Sequence, residues 1–213
     1  MKKGNVGFNE EDYVTLILLS TGFEHLMKCI ICLRYYHIHK KYPTLDFIKK
    51  NFGHDLHKSK KYIEKELGEM NYGSRLATKN DIEFLKNNQH LDNFISLLSQ
   101  FGNGARYYNL DIVTEGDSHY KDPRNVFDDL INEIIKEHPR LEKLRDDISR
   151  NKEFDERLSY ELIVLVEKFA RALSRLFSLG DFGSLAKTMT GNVSCFFLRD
   201  TDLGKAEYCN KII

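Results

Sequence analysis

Leu16, Leu19, Phe23, Leu26, Ile30 and Leu33 recur at alternating steps of three and four, which puts them on one face of a helix. Ile17, Met27 and Ile31 widen that stripe, so the spacing predicts a helix covered on more than one side. Asn9 is the expected N-cap, with Glu10, Glu11 and Asp12 complementing the positive end of the dipole. Arg34, His37, His39, Lys40 and Lys41 crowd the opposite end, and Pro43 stops the helix.

After Pro43, Thr44 is placed to cap a short helical piece carrying Leu45, Phe47, Ile48 and Phe52, closed by Gly53. A second segment starts at Asp55 and runs through Leu67 under a coat of lysines. Residues 68–79 read as a polar turn, with Thr78 or Asn80 capping a helix over 80–101 that is open to a break at Asn87-Asn88. Residues 102–122 lack clear periodicity and read as a long loop, a length that points to function or mobility. Asp122 as cap and Pro123 at the first helical position open a helix over 123–138, followed by a short one around Leu141, Leu144 and Ile148.

A second long helix is expected over 153–179, where Leu158, Leu162, Leu165, Phe169, Ala172 and Leu176 again alternate steps of four and three. Lys168, Arg171 and Arg175 share its polar face, and Gly180 stands ready to cap it. Beyond Asp181 the periodicity fades, and residues 193–198 have strand-like composition without a partner strand. The expectation is an all-α, up-and-down bundle over 1–180 with a C-terminal tail, 181–213, packed on it in extended form.

Composition changes this picture little. Lys+Arg and Asp+Glu are both 32, so no global field recruits nucleic acid or membrane, and any such contact is a local patch. Glu24, His25 and Lys28 interrupt the apolar run at 13–33 and argue against a membrane span. Cys29, Cys32, Cys195 and Cys209 form no zinc-type double pair, and the first two read as small core residues. With no signal-type run before the acidic cap, the chain reads as cytoplasmic and reduced.

Two motifs stand out together. Ser20-Thr21-Gly22-Phe23-Glu24-His25-Leu26-Met27-Lys28 lies in the first helix, and Gly53-His54-Asp55-Leu56 follows the Pro43 link. The combination resembles the HEPN domains of prokaryotes, whose first helix carries a Glu and a Lys four apart before a His-Asp-Leu at a later helix start. Ala105-Arg106-Tyr107-Tyr108 resembles the Ala-Arg-Tyr element of many members. The likeness spans roughly residues 13–110. It implies a HEPN-like bundle, homodimer formation, and RNA association or partner binding in a defence or toxin–antitoxin setting. RNA or a nucleotide is the implied ligand, and a partner protein is the other.

The residues supply their own logic. Glu24 and Lys28 form an i,i+4 pair in the favourable order, worth a few tenths of a kcal/mol, roughly, if exposed. Asp55 at a helix start accepts amide hydrogen bonds, and His54 beside it can donate to a carboxylate, so scaffolding is the leading reading of that pair. Arg106, Tyr107, Tyr108 and Asn109 combine a cation, two aromatic faces and an amide, the mixture that holds single-stranded nucleic acid. The alternative reading has the tyrosines anchoring the loop and Arg106 paired to Glu24 or Asp55.

HEPN ribonucleases use Arg-x4-6-His, in which the Arg stabilises phosphate charge and the His moves a proton. Arg34 and His39 match that spacing, although Tyr35 follows the arginine and the match sits in the first helix. They are the candidates for the alternative reading, a metal-independent endoribonuclease. A non-catalytic dimerisation module is the third. No metal or cofactor is expected. His25, Cys29 and Cys32 lie on one helix, which rarely closes a tetrahedral site, and Gly102-Asn103-Gly104 lacks the Lys-Ser/Thr of a phosphate loop.

Overall fold

A computed structural model describes residues 10–69, 76–104, 107–116, 121–180 and 182–205. Among them every regular element is an α-helix or a 3-10 turn, and the architecture is an all-α bundle. Helix α1 (Glu10–His39) is its axis, packed on α3 (Leu56–Glu69), α5 (Gln89–Asn103) and α9 (Asn151–Leu179). By length and composition alone α1 could cross a bilayer. In this fold Met27, Ile30 and Ile31 are fully buried in the protein core, and Phe23 stacks on Phe169 at 4.5 Å. Asn9, the expected cap, lies outside the described residues.

The chain leaves α1 through Lys40 in a left-handed conformation, reaches Pro43, and enters α2 (Leu45–Asn51) capped by Thr44, whose Oγ1 accepts the Phe47 amide. Gly53, at φ 51°, turns the chain into α3. The helix expected over 80–101 is two helices, α4 (Leu76–Asn87) and α5, because the Asn88 side chain caps α5 by accepting from Leu91 at 2.8 Å. Thr78 and Asn80 therefore lie inside α4 and are not caps.

Tyr108–Glu115, read from the sequence as loop, forms α6. Its Ile112 and Val113 face solvent, so no amphipathic stripe marks it. Asp122 caps α7 (Pro123–Glu137), accepting from the Arg124 amide, with Pro123 at the start. Helix α8 (Pro139–Arg145) and a 3-10 turn lead into α9.

The tail differs from expectation too. In place of an extended segment it folds into α10 (Gly183–Thr188), α11 (Thr190–Val193) and a 3-10 turn over Ser194–Phe196. Phe182, Ala186, Val193, Leu198 and Leu203 are buried against the bundle, so the apolar run that looked strand-like is spread over short helical turns. The polar face expected for α9 is covered as well. Arg171 is buried and Arg175 partly so, because Asp81 of α4 and the tail at Leu198 and Asp200 both pack against them.

Candidate functional site

Three hydrogen bonds draw the first half of α1, the start of α3 and the second half of α5 together. Ser20 Oγ of α1 donates to the Leu98 carbonyl at 2.8 Å, and the Leu56 amide at the start of α3 donates to Ser99 Oγ at 3.1 Å. His57 Nε2 meets Ser96 Oγ at 2.7 Å. Gly102 fits where these elements close: a Cβ there would sit 3.1 Å from Ser20 Oγ and 3.3 Å from the His54 carbonyl oxygen. What remains is a polar pocket of about 150 Å³ lined by Ser20, Thr21, Glu24, His25, His54 and Gly102.

Glu24, at 12% side-chain exposure, is the hub of this pocket. Lys28 Nζ donates to its Oε1 at 2.6 Å, and His54 Nδ1 lies 3.1 and 3.0 Å from its two oxygens. Burial on its own would raise the Glu24 carboxyl, but the bonds and charges of Lys28 and His54 outweigh it and hold the group below its ordinary 4.5. An ionised carboxylate only accepts, so Nδ1–H of His54 is the donor. Its Nε2 makes no hydrogen bond to the described residues and sits on a ring that is 61% exposed.

Lys28 and Glu24 cancel in charge. The two histidines on the wall, His25 and His54, then supply the pocket's ring nitrogens. That arrangement can hold a proton acceptor at a fixed place, or present one hydrogen-bond donor and one acceptor to a polar ligand.

Of the sequence-derived polar cluster, the structure brings Glu24, Lys28 and His54 together. Asp55 turns away: its Oδ1 caps α3 by accepting from the Lys58 amide at 3.1 Å, and its Oδ2 pairs with Lys58 Nζ at 3.3 Å. Arg106 and the side chain of Asn109 lie outside the described residues. Tyr107 is 51% exposed and Tyr108 half-buried, at the start of α6.

Arg34 and His39 have separate surroundings. Arg34 Nε is bound by Glu66 Oε2 of α3 at 2.7 Å, with both side chains largely buried. His39 lies at the helix end with its ring 4.2 Å from that of Tyr35. Cys29 and Cys32 are half-buried free thiols whose pKa burial pushes up. Among the described residues no three His, Cys, Asp or Glu are grouped to hold a metal ion.

Sequence reasoning missed the second charged centre. Arg175 Nη1 donates to Asp81 at 2.9 Å, and Arg171 Nη1 donates to Asp200 at 2.6 Å. Arg171 and Arg175 also reach the Leu198 carbonyl, at 3.4 and 3.3 Å. Two arginines four apart were the visible signal; their partners sit in α4 and in the tail. Compared with known proteins, the chain matches no family model, no curated protein and no solved structure.

Proposed function

We propose that this chain is a HEPN-like, RNA-associated or partner-binding protein of a prokaryotic defence or toxin–antitoxin system, working as a homodimer. The observation that carries the reading is the Glu24–Lys28–His54 cluster around a small polar pocket, with Tyr107 exposed a few residues beyond Gly102. The pocket supplies a donor and an acceptor, and the tyrosine supplies a face on which a base can stack. The dimer reading is supported by α1 itself. Val14 and Leu18 are exposed on the side of the helix that continues into Thr21 and His25 of the pocket wall. Isologous pairing through that side would set two pockets along one seam.

Anisotropy of a labelled single-stranded RNA, titrated with protein at several salt concentrations, tests the reading. Binding should weaken as salt rises, and Tyr107→Ala should cost about 1–3 kcal/mol of binding. RNA affinity that is negligible at low salt would sink the RNA half and leave partner binding.

One observation favours a second reading, the metal-independent endoribonuclease. His54 has one ring nitrogen held by a carboxylate and the other directed away from it, the orientation a general base needs. RNA incubated with the protein in EDTA should then be cut, and His54→Gln should abolish cutting. Intact RNA in that assay removes the enzyme reading.

A further inference from the structure

The lysines of α3 divide into two kinds. Leu56, Ser59, Ile63 and Leu67 form the buried side of the helix, and Lys60 is turned inward onto Asp92 of α5 at 2.9 Å. Lys58, Lys61 and Lys65 recur at steps of three and four on the opposite side, and all three are exposed. At 1.5 Å per residue they make a stripe about 10 Å long. Glu64 flanks the stripe but pairs with Lys60, and Asp55 pairs with Lys58 at its first turn.

Helix α2 lies against one flank of this stripe. Phe47 meets Phe52 edge-on at 6.0 Å, and Phe52 meets Tyr62 of α3 edge-on at 5.4 Å, so the rings hold α2 beside α3. Lys49 and Lys50 of α2 are exposed, as are Lys40 and Lys41 in the turn before it. Over residues 38–65 these seven lysines meet one exposed carboxylate, Asp46. The chain as a whole is neutral, so this face is a local concentration of positive charge.

The face is also continuous with the Glu24 pocket. His54 stands four positions before Lys58, with its exposed ring on the pocket wall. Lysines spaced along a helix are point charges on flexible stems, which suits phosphates whatever the base sequence. A pocket of about 150 Å³ has room for one unpaired base at most, which selects a single strand. A bilayer contact takes apolar side chains among its cations, and the exposed positions of α3 from Lys58 to Lys65 carry none. Tyr42 and Leu45, exposed at the turn into α2, make an anionic membrane the rival occupant. We propose that the lysine face of α2 and α3 is a track for the phosphate backbone of single-stranded RNA and leads one nucleotide to the Glu24 pocket. The track rests on the RNA-associated reading and adds to it the surface that holds the strand.

Anisotropy of a labelled single-stranded oligoribonucleotide, titrated with the full chain over a range of salt, tests the track. Each phosphate contact on a single strand contributes about 0.7 to the slope of log affinity against log salt. The triple variant Lys58→Gln, Lys61→Gln, Lys65→Gln should therefore flatten that slope by about 2 and weaken binding at low salt by about tenfold or more. Lys136→Gln, Lys143→Gln, Lys152→Gln removes the same charge from exposed positions of α7, α8 and α9 and should leave the slope at its parent value. RNA should also shield Lys58, Lys61 and Lys65 of the wild-type protein from a succinimidyl ester, read peptide by peptide against Lys136, Lys143 and Lys152. That readout needs no variant.

RNA binding whose slope the α3 variant leaves unchanged, or that both triple variants flatten alike, would overturn the track and leave the RNA reading standing. So would full reactivity of the three α3 lysines in saturating RNA. Negligible RNA affinity at low salt would remove both. Sedimentation with phosphatidylserine vesicles then identifies the rival: vesicle binding by the parent that the α3 variant loses would give the face to a membrane.

Discussion

Arg175 and Asp81, ninety-four positions apart, form an ion pair at 2.9 Å in which the aspartate is only 2% exposed. Arg171 Nε stands 3.7 Å from the same carboxylate, so a single acid on α4 faces two guanidiniums on α9. Both arginines also bind the tail, at the Leu198 carbonyl. The cluster is therefore a three-way joint between α4, α9 and the C-terminal segment.

Removing the acid leaves Arg175 without its carboxylate and Arg171 with Asp200 alone. Asp81→Ala should cost about 3–5 kcal/mol of unfolding free energy, which for a chain of this size is roughly 6–20 °C in Tm. Urea denaturation of the variant checks the first figure and a thermal melt the second. A change below about 1 kcal/mol would mean that water satisfies the arginines.

Glu24 predicts a pH dependence. Its folded pKa lies below the ordinary 4.5, so the unfolded state binds more protons in acid and stability rises with pH across that range. The stabilisation is present above about 4.5 and is lost as pH falls through the folded value. Melting temperatures taken between about pH 3 and 6 should fall more steeply for the wild type than for Glu24→Gln. Parallel curves would contradict the assignment.

Two glycines in helices should respond with opposite signs. Gly22 has nothing within 4 Å of a built Cβ, so Gly22→Ala should stabilise by about 0.5–1 kcal/mol through helix propensity alone. Gly102 has the same propensity to gain but meets Ser20 Oγ and the His54 carbonyl at 3.1 and 3.3 Å. There the overpacking wins, and Gly102→Ala should destabilise by about 1 kcal/mol while displacing His54 from Glu24. Denaturant midpoints of the two variants, read with the His54 ring resonances, test both.

Arg34 carries a prediction that separates strut from catalyst. Arg34→Met leaves Glu66 buried and unpaired and should cost about 3–5 kcal/mol. The double variant Arg34→Met, Glu66→Leu should recover most of that loss, since apolar replacement of a buried pair is often neutral. If the single variant is as stable as the parent and any RNA cleavage disappears with it, the arginine belongs to chemistry.

By itself the sequence determined the helical class, α1 and α9, and the caps at Thr44 and Asp122. These are local quantities, because a stripe at helical spacing and a side chain bonding an amide two or three residues on need no distant partner. Helix α6 escaped notice for the same reason: Ile112 and Val113 are exposed, so nothing periodic records them. The tail was misjudged because Val193, Leu198 and Leu203 are buried one at a time from short turns, a pattern without a period. Only the tertiary structure decided the pairings. His54 rather than Asp55 joins Glu24, since Asp55 is consumed in capping α3. Arg171 and Arg175 meet Asp81 rather than water, since the packing of α4 on α9 closes over them. Partners thirty and ninety-four positions apart leave no mark on local spacing, and the free energy that selects them comes from burial, which exists only once the helices have packed.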